Sequence, residues 1–128
     1  MKKKFSMKWK ASKRPAKQRK FAANAPKHTR NKFLSAHLSK ELAKKHGKRA
    51  IPVRKGDKVK VLRGQFRGKS GKIERVNTTK MKVYITGIEF LKKDGSKSLY
   101  PIHPSNLIAE ELNLEDKKRM KKTGGKSV

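Results

Sequence analysis

Between Ile51 and Ala109 the chain is rich in Val and Ile, set in short runs broken by glycine-bearing turns, and this limits the centre to strands. Val59 and Val61 alternate with Lys58 and Lys60, so one strand face can be buried while the other stays cationic. Lys72 to Val76 forms a second strand with less regular parity. Val83 and Ile85 share a face but Ile88 falls out of register with them, so Gly87 is expected to mark a bulge or bend. Asp94-Gly95 predicts a tight hairpin between Glu89–Lys92 and Lys97–Tyr100, after which Pro101 and Pro104 restrict the chain. About five short strands over roughly sixty residues predict a small barrel, because closure removes the exposed edges of so small a sheet. Its expected core is Val53, Val59, Val61, Ile73, Val76, Val83, Ile85, Ile88 and Ile102. A unit of this size buries only about 60% of its unfolded surface and is marginal alone.

The rest of the chain cannot follow the same rule. Lys and Arg number 38 against 9 acids, a formal charge of +29, and only 33% of residues are apolar, below the usual ~45–50%. Self-repulsion opposes compaction, whereas each phosphate neutralised releases counterions, so nucleic acid is the expected partner. No run of about 18 apolar residues is present to span a membrane, and 6% aromatics is poor for surface-lying helices, so no membrane insertion is expected. The basic start is followed by no apolar stretch of a secretory signal, and there is no Cys, which together predict a cytoplasmic protein. Asp57, Glu74, Glu89 and Asp94 form no acid–base motif, so neither an enzyme nor a small-molecule substrate is expected. His28, His37 and His46 are nine apart, which is not a metal-ligand spacing, and no metal or cofactor is expected.

Three segments follow: residues 1–50, a basic extension with a short helix or helices; 51–110, the barrel; and 111–128, a basic tail. Charge is heaviest in the first. Met1 to Lys27 carries cation clusters interrupted by Pro15 and Pro26, with Phe5, Trp9 and Phe21 in no apolar period, and reads as a tail that orders on a partner. Aromatics spaced among cations suit stacking on bases, Trp9 above all, and nominate Lys8, Trp9, Lys10, Lys13, Arg14, Lys17, Arg19 and Lys20. From Pro26 to His46, Leu34, Leu38 and Leu42 lie four apart as on a helix, with Gly47 as C-cap. Ser35 and Ser39 are both possible N-caps, so this is one helix or two short ones broken between them. After Leu112, Glu115-Asp116 followed by Lys117-Lys118-Arg119 predicts a short helical tail ending at Gly124-Gly125.

The run from Arg54 to Ile73, containing Arg63-Gly64-Gln65-Phe66-Arg67-Gly68-Lys69-Ser70-Gly71, resembles a KOW motif, the strand–loop–strand unit of ribosomal and transcription-elongation proteins. The flanks Asn24-Ala25-Pro26-Lys27-His28, Leu38-Ser39-Lys40-Glu41-Leu42, Arg49-Ala50-Ile51-Pro52-Val53 and Ile102-His103-Pro104-Ser105-Asn106 are similar to universal large-subunit ribosomal protein twenty-four, the eukaryotic protein twenty-six, in its archaeal and eukaryotic branch. The resemblance implies a five-stranded SH3-like barrel in a structural constituent of the large subunit. It further implies binding to the 5′ region of large-subunit ribosomal RNA, action early in assembly, neighbouring ribosomal proteins as partners and a place near the peptide exit tunnel. Its alternative is the KOW module of an elongation factor, which would join that unit to another folded domain.

The loop chemistry is compatible with RNA: Gly64, Gly68 and Gly71 permit positive φ and close backbone approach, while Arg63, Arg67, Lys69 and Lys72 surround them with charge. His28, Arg30, Arg49, Arg54, Lys55, Lys80 and Lys82 complete the expected ribosomal RNA contacts. Phe66 can stack on a base or fold back over the barrel mouth. Asp57 is expected to cap the turn before the first strand, and His103 to be a turn residue.

Overall fold

The computed structural model describes residues 4–121. Val59 and Val61 turn inward on β3 (Lys58–Val61) while Lys60 faces out, as their alternation requires. β4 (Ser70–Asn77), β5 (Lys82–Leu91) and β6 (Lys97–Ile102) follow as antiparallel neighbours. β7 (Leu107–Glu111) returns beside β3, its Ala109 opposite Val59. In place of about five short strands, β1 (Ser35–Leu38) and β2 (Ala50–Pro52) join these five in one seven-stranded sheet, in the order β2-β1-β7-β3-β4-β5-β6; the expected runs around Val83 and Glu89 are one strand, β5, and β7 is not among those expected. β1 lies parallel to β7, so the sheet is mixed. Both edge strands contain a proline, Pro52 and Pro101, where its missing N–H costs least.

β1 corrects the helix expected from Pro26 to His46. The segment is divided into α2 (Lys27–Phe33), β1 and α3 (Lys40–His46), so the two-helix alternative holds and the break between the helices is itself a strand. The four-residue spacing of the leucines concealed a period of two: Ala36 and Leu38 point into the core, and β1 is flanked by ladders on both sides. Ser39 caps α3 by accepting from the Leu42 N–H, and Gly47 ends it with φ +64°.

Most of the expected core is buried together, with Val76 half-buried against it, and it is joined by Leu34, Ala36, Leu38, Ile51, Phe66, Leu107 and Ala109. The β5–β6 register shifts around Gly87, as the sequence pattern required, and the Asp94-Gly95 turn connects β5 to β6. Gly71 differs from the expectation of positive φ; a Cβ there would lie 2.5 Å from the Thr86 carbonyl oxygen, so it is close approach of β5 that requires glycine.

Residues 4–33, the basic extension expected to carry a short helix or helices, are helical over much of their length. A short 3-10 helix (Met7–Ala11) leads to α1 (Pro15–Asn24), and Phe21 is buried with its ring 5.3 Å from Phe5 and 5.5 Å from Phe33. The predicted C-terminal helix is represented by one turn, α4 (Lys118–Lys121), started by the Asp116 carboxylate accepting from the Lys118 N–H. Its expected end at Gly124-Gly125 lies outside the described residues.

Candidate nucleic-acid interface

The connection from β3 to β4 is held by its own backbone: Gly68 donates to the Val61 carbonyl at 2.8 Å, Val61 to Lys69 at 2.9 Å and Arg67 to Gly64 at 3.2 Å. Gly64 takes φ +96°, a conformation open to glycine at no steric cost. Phe66 turns inward, 9% exposed, with its ring 4.9 Å from Tyr100. Of its two expected uses the structure shows packing against Tyr100. With Phe66 anchored inside, Arg63, Arg67 and Lys69 are held on the outer surface of a fixed loop.

That loop meets the start of β5 and the end of β6 around a recess of about 200 Å³, bounded by Arg63, Gly64, Lys82, Tyr100 and His103. Residues far apart in sequence thus converge on one cationic depression. The His103 Nδ1 accepts from the Ser105 N–H at 3.2 Å, so the neutral ring carries its proton on Nε2, and His103 caps the short 3-10 helix Pro104–Asn106. Its role as a turn residue stands. Burial first, and then the nearby Lys82 charge, hold its pKa below the ordinary value.

Acids do not neutralise this surface. The ion pairs among the described residues engage Arg54 with Asp116, Lys58 with Glu111 and Arg119 with Asp57. None reaches Arg63, Arg67, Lys69, Lys72, Lys80 or Lys82. Fixed cations with free donors can neutralise phosphates without further side-chain movement.

A second depression, about 1050 Å³, separates α2 from the β2–β3 turn and β4. Leu34, Pro52, Val53 and Val76 give it an apolar floor, and Lys32, Lys55 and Arg75 place cations around it, with the His28 imidazole beside them. The Arg75 guanidinium also lies 4.3 Å from the Tyr84 ring centre, across the β4–β5 ladder.

Other nominated residues have structural work. Arg30 donates to the carbonyls of Ala25 at 2.9 Å, Thr79 at 2.7 Å and Ala23, tying α1 and the β4–β5 turn to α2. Arg54 binds Asp116 at 2.7 Å, and the Arg49 carbonyl accepts from Leu38 at 3.0 Å. Trp9 is half-buried, edge-on to Phe5, with the Lys20 ammonium 4.8 Å from its ring centre. Lys8, Lys10, Lys13, Arg14, Lys17 and Arg19 are exposed on the same helical region, apart from both depressions.

Sequence reasoning missed the most buried charges. Asp57 does cap the turn, accepting from the Arg54 N–H at 3.0 Å, but it also accepts from Asn113 N–H at 2.9 Å and pairs in two-pronged fashion with Arg119. Both are almost wholly buried, at 1% and 2% exposure, and Arg119 further donates to the carbonyls of Asn113 at 2.8 Å and Pro52 at 3.0 Å. Sequence spacing gives no signal for a partner 62 positions away. Also missed were Tyr100, Lys32 and Arg75, which only the fold brings to the depressions.

A family model that describes eukaryotic ribosomal protein twenty-six and archaeal ribosomal protein twenty-four matches residues 12–126.

Proposed function

Because the chain belongs to the ribosomal protein family of eukaryotic protein twenty-six and archaeal protein twenty-four, a large-subunit structural constituent and not an enzyme family, we propose that it binds large-subunit ribosomal RNA through its β3–β4 loop and N-terminal helices. The observation that carries this reading is the convergence of Arg63, on a loop fixed by Phe66, with Lys82 and His103 around one recess. Unpaired cations on rigid backbone lose little conformational freedom when a phosphate arrives, so most of the counterion-release entropy is retained as affinity.

In this proposal β3 to β7 act as the SH3-like unit, residues 1–50 as an extension that reaches between RNA helices, and 111–128 as a basic tail. Loop and extension are then linked binding units, the second gaining from effective concentration. The RNA contacted is the 5′ region, bound early in subunit assembly in the cytoplasm, with neighbouring ribosomal proteins alongside and the exit tunnel nearby. No helix among the described residues is long and apolar enough to cross a membrane.

Sedimentation of lysate through a sucrose gradient after a high-salt wash tests the reading: the protein should remain on large subunits. Co-migration with RNA polymerase instead would favour an elongation factor. With purified protein, changing Arg63, Arg67 and Lys69 together to Ala should weaken binding across RNA sequences and reduce the slope of log affinity against log salt by about 2. Loss confined to one sequence would argue for base readout.

A further inference from the structure

The depression between α2 and β4 is suited to something other than phosphate alone. Glu74 on β4 is exposed, lines it, and forms no ion pair among the described residues, although the chain carries +29. A carboxylate left unpaired among cations is a poor place for a phosphate and a good acceptor for paired N–H donors. The half-buried Pro52 and Val76 offer an apolar floor on which a flat ring can lie, and Lys32, Lys55 and Arg75 supply charge at its margin. Its volume of about 1050 Å³ is at the upper end of ligand clefts, which run to ~1,000 Å³.

We infer that this groove holds an unstacked guanine of single-stranded RNA, its Watson–Crick edge donating to Glu74 and its flanking phosphates set against Lys32, Lys55 and Arg75. Guanine presents adjacent N1–H and N2–H donors on that edge, which match the two oxygens of a carboxylate. Adenine presents an acceptor at N1, so the same carboxylate opposes it. Unpaired bases are the usual sites at which proteins read RNA sequence, because their edges and faces are both accessible. The β3–β4 loop would then position the protein on phosphates, and this groove would specify one nucleotide.

The inference rests on the RNA-binding reading, and the test separates them. Binding of the full chain to the fluorescent pentamers UUGUU and UUAUU is measured with wild type, Glu74→Gln and Arg63→Gln. Wild type should prefer the guanine pentamer about tenfold, in the range for one good bidentate contact. Glu74→Gln should erase that preference without weakening UUAUU binding, since it removes only an exposed acid. Arg63→Gln should weaken both pentamers alike. A wild-type preference absent, or unchanged in Glu74→Gln, overturns the guanine site and leaves the function standing. Failure to bind either pentamer or large-subunit RNA would instead overturn the function. Thr78→Trp, placing an indole at the groove wall, should likewise abolish the preference; retention of it would show that guanine binds elsewhere.

Discussion

The sheet and the N-terminal helical region are built by opposite means. The sheet buries β-branched residues behind ladders that satisfy its backbone, and Val59, Val83, Ile85 and Leu107 are completely enclosed. In residues 4–33 only Phe21, Ala25 and Thr29 are buried, and long polar side chains secure the chain to its own carbonyls. Gln18 donates to Lys10 at 3.0 Å and Ser12 at 2.7 Å, and Arg30 ties the C-terminal end of α1 to α2. Such bonds contribute about 1 kcal/mol each and more when charged, but they do not exclude water as a core does. A chain with this charge thus holds one region by an apolar core and another by side-chain bonds to its own backbone.

The comparison is broken most severely at the buried ion pair of the sheet region, Arg119 with Asp57. Arg119→Leu should destabilise the fold by about 3–5 kcal/mol, since it leaves the Asp57 carboxylate buried without its cation. Asp57→Ala should cost at least as much, because it also removes the acceptor used by the Arg54 and Asn113 amides. Urea unfolding followed by tryptophan-independent far-UV circular dichroism reads both; a loss near that of an exposed pair, under about 1 kcal/mol, would show that the buried pair is not a structural keystone. The next effect is local. Phe21→Ala removes the ring between Phe5 and Phe33 and should cost the helical region about 3 kcal/mol. Amides of α1 should then exchange rapidly while those of β3 and β5 remain protected, and equal acceleration in both would mean that the two regions unfold as one.

The same division governs how much of the molecule was legible in the sequence. Alternation in Lys58–Val61, the shift at Gly87 and the Asp94-Gly95 turn are local signals, and each reappears in the fold. β1 was hidden because Leu34, Leu38 and Leu42 satisfy a helical spacing by accident, and only tertiary pairing with β2 and β7 decides for a strand. The order of the N-terminal region rests on rings 12 to 16 residues apart, Phe5 with Phe21 and Phe21 with Phe33, which carry no periodic signature. Phe66 is buried although it lies in a glycine-rich loop, because β6 brings Tyr100 beneath it. The loop cations were legible as charge, but the convergence of Arg63 with Lys82 and His103 depends on three strands meeting.

His103 supplies the smallest expected effect and the finest contrast between the free and RNA-bound loop. In the folded protein its pKa lies below the ordinary 6.5, through burial and then the Lys82 charge. As pH falls through about 6.5 the unfolded chain takes up this proton first, so stability present above that pH declines as pH moves toward the lower folded pKa. His103→Gln should flatten that slight decline. A phosphate lodged between Arg63 and Lys82 reverses the local field and favours the imidazolium, so saturating the protein with large-subunit RNA should raise the titration midpoint of the His103 ring, read by NMR. Binding should accordingly tighten slightly as pH falls from 7 to 6. An unchanged midpoint in the complex would place the phosphates on the outer face of the loop, at Arg67 and Lys69, and leave the recess to water.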